Sequence, residues 1–558
     1  MLYAPARPRR GKIASMRLRI GKLQHATALA IASGALVSLF VWSCGTKQTA
    51  KAASRDLVNG WDVRNEIKLA PGVDPALVKD YFPSFYDYVE TVLFHPSAGY
   101  YSSGRVNFIS DYQTFPMALG PSFGQMVAEQ MFRMWDGMRT AGTLSPSEKF
   151  TIAEFGAGDG TLAESVLDYI DEQAKSNPDK RWREFKDQTV YACYDRSPAL
   201  SEKQRKKNER FGARFEARQG DATDPGATIA PGSLKGVVLS NELPDCFSVE
   251  KVIVDDSGIA EMAYAVPSVL QQNWAATSAA LPPAARDLIT KDDAAIYSKL
   301  FGGKNPDGKT TRDRVYLSRA GFSAVLDAFS AVPDTYESNV KQLQFQEIYV
   351  PVTTMPELAQ YFRQYAHSYA YGIAKSGKGQ VTYVNLGEGK FIKGAGAALK
   401  AGYVITIDYG DNWEGILAQK FDHLRMYGPG SSSTQANPYH APTLNDMTTD
   451  VNFSHVAEEG KSVGLKALYF GPQHSLQVGT PIDLKKAPPS RKDDAESFQE
   501  WADQFYSWEV YKVMIQQKEN TDAAYKYLGD RAEPLTMTEE LSSAERTKLA
   551  EIETNLKH

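Results

Sequence analysis

The segment Glu154-Phe-Gly-Ala-Gly-Asp-Gly160 carries the densest chemistry in the chain. Glycines at 156, 158 and 160 allow a sharp turn and let a ligand approach without meeting a Cβ. The apolar stretch from Phe150 reads as a strand. Thr161-Leu-Ala-Glu-Ser-Val-Leu reads as a helix, whose free N-terminal amides face something electron-rich. A pyrophosphate-binding fingerprint spaces its glycines G-x-G-x-x-G. Here the spacing is G-x-G-x-G, with acids at Glu154 and Asp159. Such acids repel a pyrophosphate and suit a ligand with positive charge, such as a sulfonium bearing an α-amino group. The plain alternative is a tight strand-to-helix turn with no ligand.

More polar groups fall at strand ends. Val190-Tyr-Ala-Cys-Tyr-Asp195 reads as a second strand closing on a carboxylate. Asp195 can accept both ribose hydroxyls of a nucleoside, or cap the helix that opens at Pro198. Asp221 follows a third strand around Ala213 to Arg218 and is placed to meet an adenine amino group, or to make a turn. Lys235-Gly-Val-Val-Leu-Ser240 reads as a fourth strand, followed by Asn241 and Glu242. Open α/β sheets bind ligands at the carboxyl ends of successive strands. Asp408 ends a later strand and either lines the same crevice or braces the turn at Gly410. His440, in Pro438-Tyr-His-Ala-Pro442, has the form of a base, but a lone histidine in a proline-flanked loop is more often structural. Eight histidines and three cysteines show no metal-ligand spacing.

Taken together, these residues resemble the MidA-like family of class I S-adenosylmethionine-dependent methyltransferases. That family includes a mitochondrial complex I assembly enzyme that modifies arginine in a partner subunit. The resemblance runs from about His95 to Gly479. It rests on Phe94-His-Pro-Ser-Ala-Gly-Tyr-Tyr101, Ser110-Asp-Tyr-Gln-Thr-Phe-Pro116, the glycine loop, Asp195-Arg-Ser-Pro-Ala-Leu200 with Gln204, and Ser240-Asn-Glu-Leu-Pro-Asp245. Later pieces are Gly402-Tyr-Val-Ile-Thr-Ile-Asp-Tyr-Gly410, Leu424-Arg-Met-Tyr427, His440 and Asp446-Met-Thr448. Departures from the family pattern are Ser110, Met117, Pro244, Cys246, Phe247 and Ser248.

The resemblance implies an α/β fold: a Rossmann-like class I methyltransferase sheet with helical N-terminal, inserted and C-terminal decorations. It implies S-adenosyl-L-methionine as cofactor, held by Glu154, Gly156, Gly158, Gly160, Asp195 and Asp221. It implies methyl transfer to a protein, with an arginine side chain as acceptor. A carboxylate can hold a guanidinium by paired hydrogen bonds and aim one nitrogen at the methyl. Glu242 is the expected aiming residue and Asn241 its orienting partner; the bland alternative is that both cap the loop. Asp111, Thr114, Asp408, His440 and Asp446 are the expected substrate-side residues. The second functional hypothesis is a non-catalytic envelope assembly or binding protein on the same fold, suggested by Ser110, Met117 and the N-terminus.

That N-terminus is basic from Arg7 to Lys22, then uncharged over Ala26 to Ser43, and then reaches Cys44. The pattern describes a signal peptide, a lipoprotein signal lipidated at Cys44, or a membrane anchor. Each would place the body at the cell envelope, with the cytoplasm as the alternative. Residues 1–44 are thus expected to be the signal, 45–75 a polar tether, 76–484 the catalytic domain with an insertion at about 270–345, and 485–558 a helical extension. Gly430 to Thr434 is expected as a surface loop or a lid. Helices are expected at 75–95, 119–139, 354–374 and 390–400.

The chain has 558 residues, 42% hydrophobic, and a net charge of −5. This is ample for a large core. With no basic stripe in the folded part, nucleic acid is excluded as an expected partner. Cys193 and Cys246 are expected as buried small hydrophobes on strands that flank the first, too far apart for a disulfide.

Overall fold

The computed structural model describes residues 57–58, 61–62, 65–103, 113–418, 423–428, 431–433, 437–521 and 524–557. Cys44 with the whole leader, most of the tether, and Asp111 lie outside the described residues. Among the described residues no helix is long and apolar enough to cross a membrane.

The main sheet has eight strands among the described residues, the two-residue Val451–Asn452 at its side and seven in sequence across it: β1 Phe150–Phe155, β2 Thr189–Asp195, β3 Phe215–Gln219, β4 Leu234–Asn241, β5 Leu399–Asp411, β6 Leu465–Pro472 and β7 Tyr511–Lys518. Their spatial order is β3-β2-β1-β4-β5-β7-β6. The first five are parallel, and β7 enters antiparallel between β5 and β6. This is the Rossmann-like sheet that the resemblance implies. Val237, Val238 and Leu239 of β4 are all fully buried, as a parallel strand covered on both faces requires. Each such side chain contributes about 1.5–3 kcal/mol on leaving water. Gly236 of β4 faces Gly402 of β5 in register. A Cβ on Gly402 would sit 1.9 Å from the Gly236 carbonyl oxygen, with φ at +134°, so only glycine lets these strands pair at that point.

The helix Thr161–Ser176 follows β1 and buries Leu162, Ala163, Val166, Leu167 and Ile170. The helix Pro121–Thr140 packs beside it, with Phe132 stacked on Trp182 at 4.0 Å. Helices expected at 119–139 and 354–374 are found at Pro121–Thr140 and at Pro356–Gln364 with Ala366–Ser376. The expected helix at 75–95 divides into a 3-10 turn, Pro75–Asp80, and a helix, Phe85–Phe94, capped by Ser84.

Two expectations change. Glu250–Val254, the next strand in the chain after β4, lies outside the main sheet. It pairs with Ala260–Leu270 and Gln380–Val384 in a second, antiparallel sheet completed by Leu343–Pro351 and Arg314–Tyr316. The helical stretch at 270–345 is therefore the middle of a longer excursion between β4 and β5. Each face of this second sheet carries its own hydrophobic cluster. The segment 485–558, expected as helical, holds the helices Ala495–Ser507 and Ser543–Lys557 but also supplies β7. Val513, Met514 and Ile515 run apolar without alternation and are wholly buried, which a two-sided interior strand demands.

Cys193 and Cys246 are both free thiols, on β2 and just beyond β4. Cys193 is buried, whereas Cys246 is half-buried, with its Sγ 3.3 Å from the Tyr101 hydroxyl. Of the loop expected at Gly430 to Thr434, Ser431–Ser433 is a short strand paired with Leu424–Gly428.

Candidate functional site

The carboxyl ends of β1, β2, β4 and β5 bring the chemistry-bearing residues to one edge of the sheet. The glycine loop turns there: φ is +70° at Gly156, +54° at Gly158 and +84° at Gly160. These left-handed values explain the glycines. A Cβ on Gly156 would also lie 2.6 Å from Leu243 Cδ1. The loop therefore packs directly on the residue after Glu242. Gln204 Nε2 donates to the Gly158 carbonyl at 2.9 Å and reaches Asp195 Oδ2 at 3.4 Å.

Asp195 closes β2 with its carboxyl turned inward. The Ser197 amide donates to Oδ1 at 2.9 Å. Burial pushes the group up to about 6, against the hydrogen bonds from Ser197 and Gln204. Asp221 is more exposed. It accepts from the Thr223 amide and hydroxyl at 2.8 Å each, and lies 3.3 Å from Arg196 Nε. Both its turn role and an ion pair are therefore in place. Glu154 is 2% exposed and accepts from the Tyr191 hydroxyl at 2.8 Å, so it is held among the strands. Burial lifts it to about 7. Asp159, expected to favour a cation, is already paired with Lys207 and capped by Thr161.

Beside Leu243 sits a cluster of three carboxylates: Glu242, Asp245 and Asp408. Glu242 adopts φ +49°, a left-handed value rare outside glycine. Its backbone amide donates to the Ile407 carbonyl at 2.8 Å, which ties β4 to β5 at the turn. The Phe115 amide hydrogen-bonds its carboxylate, and Asn241 Nδ2 lies 3.4 Å away. Burial and the neighbouring Asp245 push Glu242 up to about 8. Asp408 is fully buried and raised well above the usual carboxylate range, by burial first and then by Asp245 and Glu242. Asp245 accepts from the Tyr409 hydroxyl at 2.6 Å, and burial raises it to about 6. The protons of this group are shared properties of the cluster.

The remaining expected residues scatter. Thr114 occupies the N-cap position of the short helix Phe115–Ala118, without a side-chain cap bond, and so stands one residue from the Glu242 contact. Asp446 is buried in the strand Asp446–Thr449, which packs on the Pro244–Cys246 turn. His440 is exposed, and its backbone carbonyl accepts from Asn445 Nδ2 at 3.1 Å. Asp245, Tyr409 and Arg425 were not expected as site residues. Arg425 lies with its guanidinium 4.7 Å from the Tyr409 ring centre and bonds Asp450 at 2.6 Å. The spacing of Asp245 three residues after Glu242 was a signal for it; Arg425 has none within its own segment.

The site fits a cationic ligand rich in donors. Oδ1 of Asn241, Oδ1 of Asp245 and Oε1 of Gln204 are buried acceptors with no hydrogen-bond partner. Buried acceptors left unpaired cost free energy that a donor-bearing ligand returns. The raised carboxylates act the same way, since a cation restores their charged form. In the ligand-free protein their folded pKa values lie above the unfolded ones. The unfolded chain therefore loses these protons first, and stability declines as pH rises from about 5 to about 8. Thermal unfolding should show Tm falling by several degrees over that range, and Glu242→Gln should make the slope shallower. A level Tm in the unmodified protein would count against the protonated cluster.

Two crystal structures of COG1565 superfamily proteins from Burkholderia thailandensis resemble this chain. One, bound to S-adenosyl-homocysteine, is 20% identical, with 79% of this chain and 88% of that chain covered, at a TM-score of 0.49. The other, a native structure, is 19% identical, with 81% and 91% covered, at a TM-score of 0.50. At such identity the likeness shows the fold alone. No curated protein matches. The family model described as "Putative S-adenosyl-L-methionine-dependent methyltransferase" matches residues 126–471, well over half of the chain and inclusive of the glycine loop, Asp195, Glu242 and Asp408. The chain belongs to this family of S-adenosyl-L-methionine-dependent methyltransferases.

Proposed function

We propose that the protein transfers a methyl group to an arginine side chain of a protein substrate. One observation carries this: three carboxylates, the half-buried Glu242 and the buried Asp245 and Asp408, gather next to the residue that packs on the cofactor loop. A guanidinium is planar, keeps its charge at any working pH and offers five donors in a fork. It supplies the charge and donors that this cluster lacks. S-adenosyl-L-methionine, when bound, supplies an electrophilic methyl on a sulfonium. Asp195 and the glycine loop are the residues that would hold it, with Asp221 at the rim.

The chain's own residues do the rest. Glu242 accepts N–H bonds from the guanidinium and concentrates its positive charge on the nitrogens facing the carboxylate. The nitrogen that is left richer in electrons faces the methyl donor. The proton shed by that nitrogen passes to a Glu242 oxygen. Tyr409 fixes Asp245 through its 2.6 Å bond, and Asn241 Oδ1 offers a further acceptor. Beyond taking that proton, the protein contributes position and electrostatics.

Incubation with methyl-tritiated S-adenosyl-L-methionine and a cell extract tests this. Acid hydrolysis of the labelled protein should yield methylarginine. Label recovered in lysine, in nucleic acid or in small molecules alone would overturn the proposal.

A further inference from the structure

The family match ends at residue 471, yet the side chains bordering the carboxylate cluster also come from beyond it. The helix Ala495–Ser507 and the start of β7 surround the Phe115 ring. Trp501, Phe505, Trp508 and Tyr511 lie 5.3, 5.7, 6.1 and 4.9 Å from it, centre to centre. Phe115 is the residue whose amide meets Glu242. Trp508 stacks on Tyr511 at 5.9 Å, and Tyr511 meets Tyr409 at 5.5 Å. Tyr409 in turn bonds Asp245. An unbroken run of rings thus leads from the half-buried Trp508 to the buried acids. The far end of that run already holds one guanidinium, that of Arg425 over Tyr409.

We propose that the half-buried Trp508, backed by the buried Tyr511, forms a substrate-binding wall that receives the cationic side chain of the methyl acceptor and passes it to Glu242 and Asp245. The proposal rests on the arginine assignment made above. A guanidinium entering this cluster must shed water. Aromatic faces return part of that cost by cation–π attraction and planar stacking, and add no charge to compete for the carboxylates. An aliphatic wall packs the stem but leaves the charge uncompensated. The C-terminal segment therefore sets specificity for a planar cation.

Calorimetry on the full-length protein saturated with S-adenosyl-homocysteine tests the wall. The probe is acetyl-Gly-Arg-Gly-amide, with the neutral citrulline peptide as its control. The arginine peptide should bind and the citrulline peptide should not. Trp508→Leu should weaken arginine-peptide binding about ten-fold, and Trp508→Phe should keep most of it. Unchanged Tm and S-adenosyl-homocysteine affinity establish that both variants are folded. Unaltered peptide binding in Trp508→Leu, with loss of binding in Glu242→Gln, would overturn the wall and leave the arginine assignment standing. No binding of the arginine peptide to the unmodified protein would overturn both.

Discussion

Glu242→Gln lowers methyl incorporation about a hundred- to a thousand-fold, the range seen when a preorganised electrostatic group is removed, while S-adenosyl-L-methionine still binds within about two-fold of the original affinity. The substitution keeps the shape of the side chain and its left-handed backbone, φ +49°. It removes only the charge. Glutamine accepts through one oxygen and offers an amide N–H where a guanidinium N–H must sit, so two donors face each other. It also cannot take the proton that the acceptor nitrogen sheds. Asp245 and Asp408 remain, but Asp245 gives Oδ2 to Tyr409, which leaves it one oxygen, and Asp408 receives the amides of Asp245 and Tyr409. Tritium counts in extract protein report the transfer, and calorimetry reports cofactor affinity. Turnover within several-fold of the unmodified protein would show that another group aims the acceptor.

Asp195→Ala moves the other observable. It should weaken S-adenosyl-L-methionine by about 1.5–3 kcal/mol, the worth of hydrogen bonds to a charged group, or roughly ten- to a hundred-fold. The residue is half-buried and its carboxyl is raised to about 6, burial being the main cause. Donors from a ribose would stabilise its charged form, so binding releases a proton below pH 6 and affinity climbs as pH rises from about 5 to 7. Alanine should abolish that climb. Asp221→Ala is the contrasting variant. Its carboxylate already has Thr223 and Arg196, so its loss should cost less. Equal Kd values for Asp195→Ala and the unmodified protein, by titration calorimetry, would remove Asp195 from the cofactor site.

The glycine loop and strand ends were legible because their signals are local. Three glycines on alternate positions, each followed or preceded by a strand or helix pattern, need no partner elsewhere in the chain. Asp195 and Glu242 were legible for the same reason, as single carboxylates at the ends of apolar runs. Asp245 stood in plain view three residues on, but its role depends on Tyr409, which lies 164 residues away. Arg425 and Trp508 were illegible because a cation–π contact or a stacked ring is fixed by tertiary packing alone. The strand at Tyr511–Lys518 was missed for a similar reason. Its buried run of apolar residues is short, and the aromatic helix before it carried the helical period forward.

The place of β7 also bears on how the protein is made. It follows the other strands of the main sheet in the chain, yet it lies inside the sheet, between β5 and β6. Until it arrives, most of that edge of β5 is bare and β6 has no neighbour on the main sheet, so the nascent chain carries unpaired strand backbone from the making of β5 at residues 399–411 until β7 at residues 511–518 joins. Such a chain depends on protection from self-association until β7 is in place.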